Sequence, residues 1–224
     1  QINGVGDILE TGSEEAIKGA DVVMADSHTI AYWPFNEGSG STVTDATATA
    51  YTGTINPLAL WNEGRSNATD DYSVEFDGTF TNIGTNADFD ATEFTAEVWF
   101  KTDTADKKMV LFSDKAGSKW AYNMYLNTGD LAFDFTVDNG NLVMLTTPCG
   151  CIDNMWHFAV VVRGEDYVEI WLDGVMIVEN DWSGDIDFTA SISIGQNPLG
   201  SESFEGLIDD LRFSDIARHN EDFM

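Results

Sequence analysis

The chain has 224 residues, 43% hydrophobic and 12% aromatic, which is enough to enclose a core and excludes wholesale disorder. Ten Lys and Arg face 39 Asp and Glu, and a formal net charge of −29 repels nucleic-acid phosphates and anionic lipid headgroups alike. The apolar run around Phe158–Val162 is far shorter than the roughly 20 residues a membrane-spanning helix needs. The excess acid has two readings. It can hold water and solubility in a saline medium, or particular Asp residues can supply hard oxygen ligands to a cation such as calcium.

In chain order, residues 1–27 read as a linker or edge extension ahead of one domain spanning 28–224, and Gln1 reads as the start of a mature or excised fragment. Within that extension Ser13 can cap a short helical turn carrying Glu14 and Glu15, and Val22-Val23-Met24 can follow as a strand. From Thr29 onward the hydrophobic period is two. Strands are predicted at Thr29–Phe35, Tyr72–Phe76, Phe94–Thr102, Met109–Ser113, Tyr122–Asn127, Leu131–Val137 and Asn141–Thr147. Trp156–Arg163, Tyr167–Asp173, Val175–Glu179, Ile192–Gly195 and Phe204–Ser214 follow. Asp173-Gly174 joins two of these runs directly, a strong hairpin signal because such turns need positive φ, and Asp138-Asn139-Gly140 is a second. So many short strands with almost no helix predict an all-β, two-sheet antiparallel jelly-roll sandwich. Val168, Ile170 and Leu172 share the inward face of one strand, with Tyr167, Glu169 and Trp171 opposite. Trp156–Val162 is apolar at nearly every position and reads as a central strand covered on both faces.

Five segments stand out together: Ala31-Tyr32-Trp33-Pro34-Phe35-Asn36-Glu37-Gly38-Ser39-Gly40-Ser41 with Asp45 after it, Ser73-Val74-Glu75-Phe76-Asp77-Gly78, and Phe94-Thr95-Ala96-Glu97-Val98-Trp99-Phe100. Trp156-His157-Phe158 followed by Val168-Glu169-Ile170-Trp171-Leu172-Asp173-Gly174 is the fourth, and Phe204–Phe213 with Ala217-Arg218 the fifth. In this order they resemble the laminin-G-like branch of the concanavalin A-like jelly rolls, the fourth similar to that family's hairpin and the fifth to its closing strand. The resemblance implies two stacked antiparallel sheets with the first and last strands adjacent. It commonly implies calcium near the edge formed by the termini as well. Strict alternation puts Leu207, Asp209, Leu211 and Phe213 on one face, so Asp209 is expected among apolar neighbours, where a lone charge costs several kcal/mol unless a metal or donors meet it. Glu37, Asp45 and Asp77 are the expected companion ligands. A salt-bridged or amide-bonded Asp209 that merely ties two strands is the competing reading, and Arg212 is a rival partner for Asp210, both on the face opposite Asp209.

Other constellations are weaker. Glu169 and Asp173 are the nearest match to the alternate-acid strand of laminarinase-type hydrolases, but Trp171 stands between them and Asp173 is a turn residue. His28, His157 and His219 lack metal-binding spacing, and His157 reads as a packed or hydrogen-bonded side chain. Cys149 and Cys151 can close a loop-stiffening disulfide outside the cell or stay reduced. Trp33, Trp99 and Trp156 read as core. Trp61, Trp120, Tyr122, Trp171 and Trp182 are the candidate platforms for stacking sugar rings, with Asn123, Asn127 or Asp134 fixing hydroxyls. Loop tryptophans can instead fold back as lids over the sandwich ends.

The expectation is therefore a non-catalytic, calcium-stabilised carbohydrate-binding or adhesion module, secreted or on a cell surface, beside other domains of a larger protein. A neutral glycan suits a −29 surface better than a sulfated one. A structural spacer or protein-adhesion domain without a sugar site is one alternative, and an accessory fragment of a polysaccharide-degrading enzyme another.

Overall fold

The computed structural model describes residues 25–56, 60–66, 68–79, 82–85, 91–116, 119–136, 142–182 and 192–224. Its strands are β1 (Thr29–Trp33), β2 (Thr42–Val43), β3 (Gly53–Asn56), β4 (Leu60–Glu63), β5 (Tyr72–Asp77), β6 (Asn82–Thr85), β7 (Phe94–Lys101) and β8 (Lys108–Ala116). Then come β9 (Lys119–Asn127), β10 (Asp130–Thr136), β11 (Leu142–Pro148), β12 (Trp156–Arg163), β13 (Tyr167–Leu172), β14 (Val175–Asp181), β15 (Ser193–Ile194) and β16 (Glu205–Ser214). The first sheet runs β14-β13-β12-β7-β16-β5-β4, with β1 also paired to β16; the second runs β11-β10-β9-β8-β15-β6-β3-β2. All pairings are antiparallel, as the alternation predicts, and the first and last strands lie side by side.

Every strand expected from Thr29 onward is present. The short strands β2, β3, β4 and β6 were not expected, because two to four residues are too few to display a period of two. Asp173 and Gly174 both take positive φ, 50° and 77°, as a two-residue hairpin between β13 and β14 requires. The Asp138-Asn139-Gly140 turn, the Ser13 helical turn and the Val22–Met24 strand lie outside the described residues. Residues 25–28 are tied to the domain, since Arg218 grips Asp26 through two bonds of 2.9 and 2.8 Å. Those hydrogen bonds hold the Asp26 carboxyl far below the usual carboxylate range.

The core fills the space between the sheets. Phe213 of β16 meets Trp33 of β1 at 6.4 Å, Phe112 of β8 at 5.1 Å and Tyr122 of β9 at 6.1 Å, so one ring joins the two sheets. Val168 and Ile170 are fully buried and Leu172 is 8% exposed. A second apolar layer lies on the outer face of the first sheet: Phe158, Val160 and Val162 of β12, with Trp99 stacked on Phe158 at 5.0 Å. The C-terminal segment covers this layer, Phe223 packing edge-on against Phe158 and Trp171 at 6.5 and 5.5 Å. That cover explains why β12 is apolar at nearly every position. It also corrects two expectations, because Trp99 and Trp156 stand on the outer face and only Trp33 of the three belongs to the core.

A bulge corrects the parity of β16. Register against β7 shifts between Asp209 and Leu211, and Asp210 takes φ 43°. Ile208, Leu211 and Phe213 therefore face the core, whereas Leu207 and Asp209 lie on the outer side opposite Lys101 and Trp99. The bulge falls where β16 exchanges one neighbour, β5, for another, β1. Arg212 is not the partner of Asp210: its guanidinium grips buried Glu97 through Nε and, at 2.8 Å, Nη2. Cys149 and Cys151 form a disulfide.

Candidate functional site

The second sheet carries an aligned polar row on its outer face. Tyr122, Met124 and Leu126 of β9 point into the core, so Asn123 points out. Antiparallel register places Asp134 of β10 and Ser113 of β8 on either side of Asn123, and Ser193 of β15 beside Ser113. Ser193 stands between core Ile192 and Ile194, which forces it outward. The row then continues through Gly84 of β6, Thr54 of β3 and Thr42 of β2. Asn123 and Ser113 are 0% exposed, Ser193 5% and Asp134 6%. Yet among the described residues the Asn123 amide oxygen and nitrogen and the Ser113 and Ser193 hydroxyls make no hydrogen bond. Each such buried atom costs on the order of 1–3 kcal/mol, so the row keeps an expensive capacity to donate and accept. At Gly84, a side-chain carbon would meet nothing within 4 Å, so the row opens there.

A ring borders this row. Tyr125, two residues from Asn123, donates from its hydroxyl to Asp134 at 2.9 Å and packs with Val110 and Ala132. Lys108 lies over the ring, 3.8 Å from its centroid. Burial pushes the Asp134 carboxyl above its ordinary value against the opposing Tyr125 hydrogen bond, and burial raises the Tyr125 phenol as well. Asn127 sits exposed at the end of β9, away from the row.

The expected platforms scatter. Tyr122 is 1% exposed, wedged between Phe94, Phe112 and Phe213, so alternation makes it core and not a platform. Trp182 packs edge-on against Phe135 at 5.7 Å, acting as a lid. Trp171 has Phe223 against it and donates to Glu169 at 2.7 Å. Trp61 lies in β4 of the first sheet, half-buried, and the Trp120 side chain lies outside the described residues. The hydrolase-like acids are otherwise engaged: Glu169 by Trp171, and Asp173 by the Phe158 amide at 2.8 Å and His157 at 2.8 Å.

The four carboxylates expected to hold calcium do not fit one ion. Asp45 accepts from the Tyr32 and Thr47 amides through Oδ1, and from the Thr47 hydroxyl and Tyr51 amide through Oδ2, at 2.7–2.9 Å. Asp77 closes its own turn onto Thr79. Glu37 accepts from the Thr44 amide and leaves Oε2 buried without a hydrogen bond. Asp209 accepts from the Arg65 amide at 3.0 Å and the Asp210 amide at 2.9 Å. Asp210 takes the Arg65 Nε at 2.8 Å and the Tyr32 hydroxyl. Among the described residues no three His, Cys, Asp or Glu side chains gather where they could hold a metal. Burial, reinforced by the Asp210 charge, pushes the Asp209 carboxyl up to about 8.

Two stacked antiparallel sheets, one with a buried polar row on its outer face, define a jelly-roll sandwich. Residues 77–222, more than half of the chain, match the concanavalin A-like lectin/glucanases superfamily, and the chain belongs to that family. Solved structures with this fold include the receptor binding domain of botulinum neurotoxin D (TM-score 0.70, 12% identity, 87% of this chain and 51% of that one). The botulinum neurotoxin serotype G binding domain superposes similarly (0.70, 10%, 86% and 49%). So does the binding domain of Paraclostridial Mosquitocidal Protein 1 (0.70, 12%, 87% and 50%). At such identities the likeness is one of fold, and this chain spans about half the length of those chains. No curated protein sequence matches it. Among the described residues no helix is long and apolar enough to cross a membrane.

Proposed function

We propose that this domain is a non-catalytic binding module for a neutral, hydroxyl-rich glycan, secreted or displayed at a cell surface within a larger protein. The observation that carries the reading is the row Asp134–Asn123–Ser113–Ser193, whose buried amide and hydroxyls have no hydrogen-bond partners among the described residues. Sugar hydroxyls both donate and accept, which matches an amide flanked by a carboxyl and a serine with a second serine beyond. The Cys149–Cys151 disulfide supports an oxidising compartment, and the binding domains of similar fold support a recognition role. Calcium has no converging ligand set among the described residues, and the reading does not depend on it.

Asn123→Ala and Ser113→Ala test it by affinity electrophoresis in gels of neutral polysaccharides. Removing unpaired buried polar atoms leaves stability unchanged or raised, while retardation falls at least tenfold in apparent affinity. Retardation equal to that of the unmodified domain would overturn the proposal.

A further inference from the structure

We propose a second saccharide site on the opposite side of the molecule, in a cleft on the outer face of the first sheet. Its floor is another aligned row: Trp156 of β12, Lys101 of β7, Leu207 of β16, Glu75 of β5 and Leu60 of β4 stand opposite one another across five strands. Leu207 reaches this face only because the bulge at Asp209–Asp210 reverses the parity of β16. Two hollows of about 530 and 550 Å³ lie over the floor and share Asn62, Lys101 and Leu207. Such volumes match those of small-ligand sites, roughly 300–1,000 Å³.

The walls are aromatic and held in place before any ligand arrives. The turn Asn36–Ser41 holds them. Asn36 accepts from the Tyr72 amide at 2.9 Å, and the Gly40 carbonyl accepts from the Trp61 indole at 3.1 Å. Gly38, at φ +62°, lies so close to the Tyr72 ring that a side-chain carbon there would come within 2.7 Å of it. Rings fixed in this way lose little rotamer freedom on binding. Trp61, Tyr72 and Trp156 are all half-buried and line one hollow, Trp156 from the outer face, and Trp61 and Tyr72, which share the parity of core Val74, from the sheet edge.

Polar groups stand between the rings. Asn62 donates its amide to Glu75 at 2.7 Å, which turns its carbonyl oxygen away as an acceptor. Lys101, at the centre of both hollows, makes no ion pair or hydrogen bond among the described residues, so its ammonium is open to ligand oxygens. Glu63, Glu75, Asp103 and Glu205 around it repel an anionic chain. Stacking rings, an amide, one ammonium and a carboxylate rim fit an uncharged oligosaccharide. With sites on both faces, one domain bridges two glycan chains, and its avidity for a polymer exceeds that of either site.

Titration calorimetry with unbranched neutral hexasaccharides of glucose, mannose and xylose tests this, using the full chain, Trp156→Ala, Asn62→Ala and Asn123→Ala. Thermal melts of each variant confirm folding, and Asn62→Ala guards against a folding defect in Trp156→Ala. The expected stoichiometry is two saccharides per chain, falling to one in the two cleft variants and to one, at the other site, in Asn123→Ala. One saccharide per chain, lost in Trp156→Ala and kept in Asn123→Ala, upholds the cleft and defeats the row. A folded Trp156→Ala and Asn62→Ala that bind as the unmodified chain does, or no binding by any hexasaccharide, would overturn the cleft.

Discussion

Replacing Asp209 by asparagine tests the proton held at the β16 bulge. Asp209 and Asp210 are adjacent buried carboxylates with one guanidinium, Arg65, between them and solvent. The Asp209 carboxyl rises from 3.8 to about 8, so the folded protein keeps a proton that the unfolded chain gives up. A raised pKa stabilises fully below pH 3.8, and that contribution is lost as pH climbs through 8. Each pH unit inside the window is worth about 1.4 kcal/mol, so the unmodified domain loses roughly 2 kcal/mol between pH 6 and 8 from this group. The substituted side chain cannot titrate, but its amide can accept from only one of the Arg65 and Asp210 backbone N–H groups, at a cost of about 1 kcal/mol. Urea unfolding at pH 6 and 8, at constant ionic strength, should show Asp209→Asn more stable than the unmodified domain at both values, with a margin about 2 kcal/mol wider at pH 8. The difference between the two proteins cancels His157 and the general self-repulsion of the acidic surface. Equal losses in both proteins would refute a shared proton.

Phe213→Ala removes the ring that joins β1, β8 and β9, and a loss of roughly 3–5 kcal/mol in urea unfolding is expected; under about 1 kcal/mol would mean the inter-sheet core lies elsewhere. Burial works against protonation of His157, but its hydrogen bonds to Asp173 and Asp153 prevail and raise its pKa above 6.5. Its contribution to stability is therefore complete below pH 6.5 and lost as pH rises through the raised value; an imidazole NMR titration centred at or below 6.5 would contradict this. Asp45→Asn should lower the melting temperature equally in calcium and in chelator, because its oxygens already accept from protein donors. A drop confined to calcium would return Asp45 to a metal site.

The features legible in the sequence alone are local ones. Val168, Ile170 and Leu172 alternate inward because side chains on a strand alternate whatever lies beside it, and Asp173-Gly174 turns because those two residues tolerate positive φ. The double cover of β12 was legible in the same way, from residues that could not face water on either side. Asn123 and Asp134 stood out in the sequence as polar side chains able to meet hydroxyls, but not as neighbours. Register decided that, and register is a relation between strands far apart in sequence: it brought Ser113 and Ser193 into the row and gathered Lys101, Leu207 and Trp156 into the cleft. The bulge at Asp209–Asp210 shows the limit most plainly. One extra residue in β16 exchanges the two faces of the strand, and nothing in that strand alone reveals it, because the bulge arises where its neighbour changes from β5 to β1. Tertiary structure therefore chose which side chains meet, after the sequence had settled only which way each strand could face.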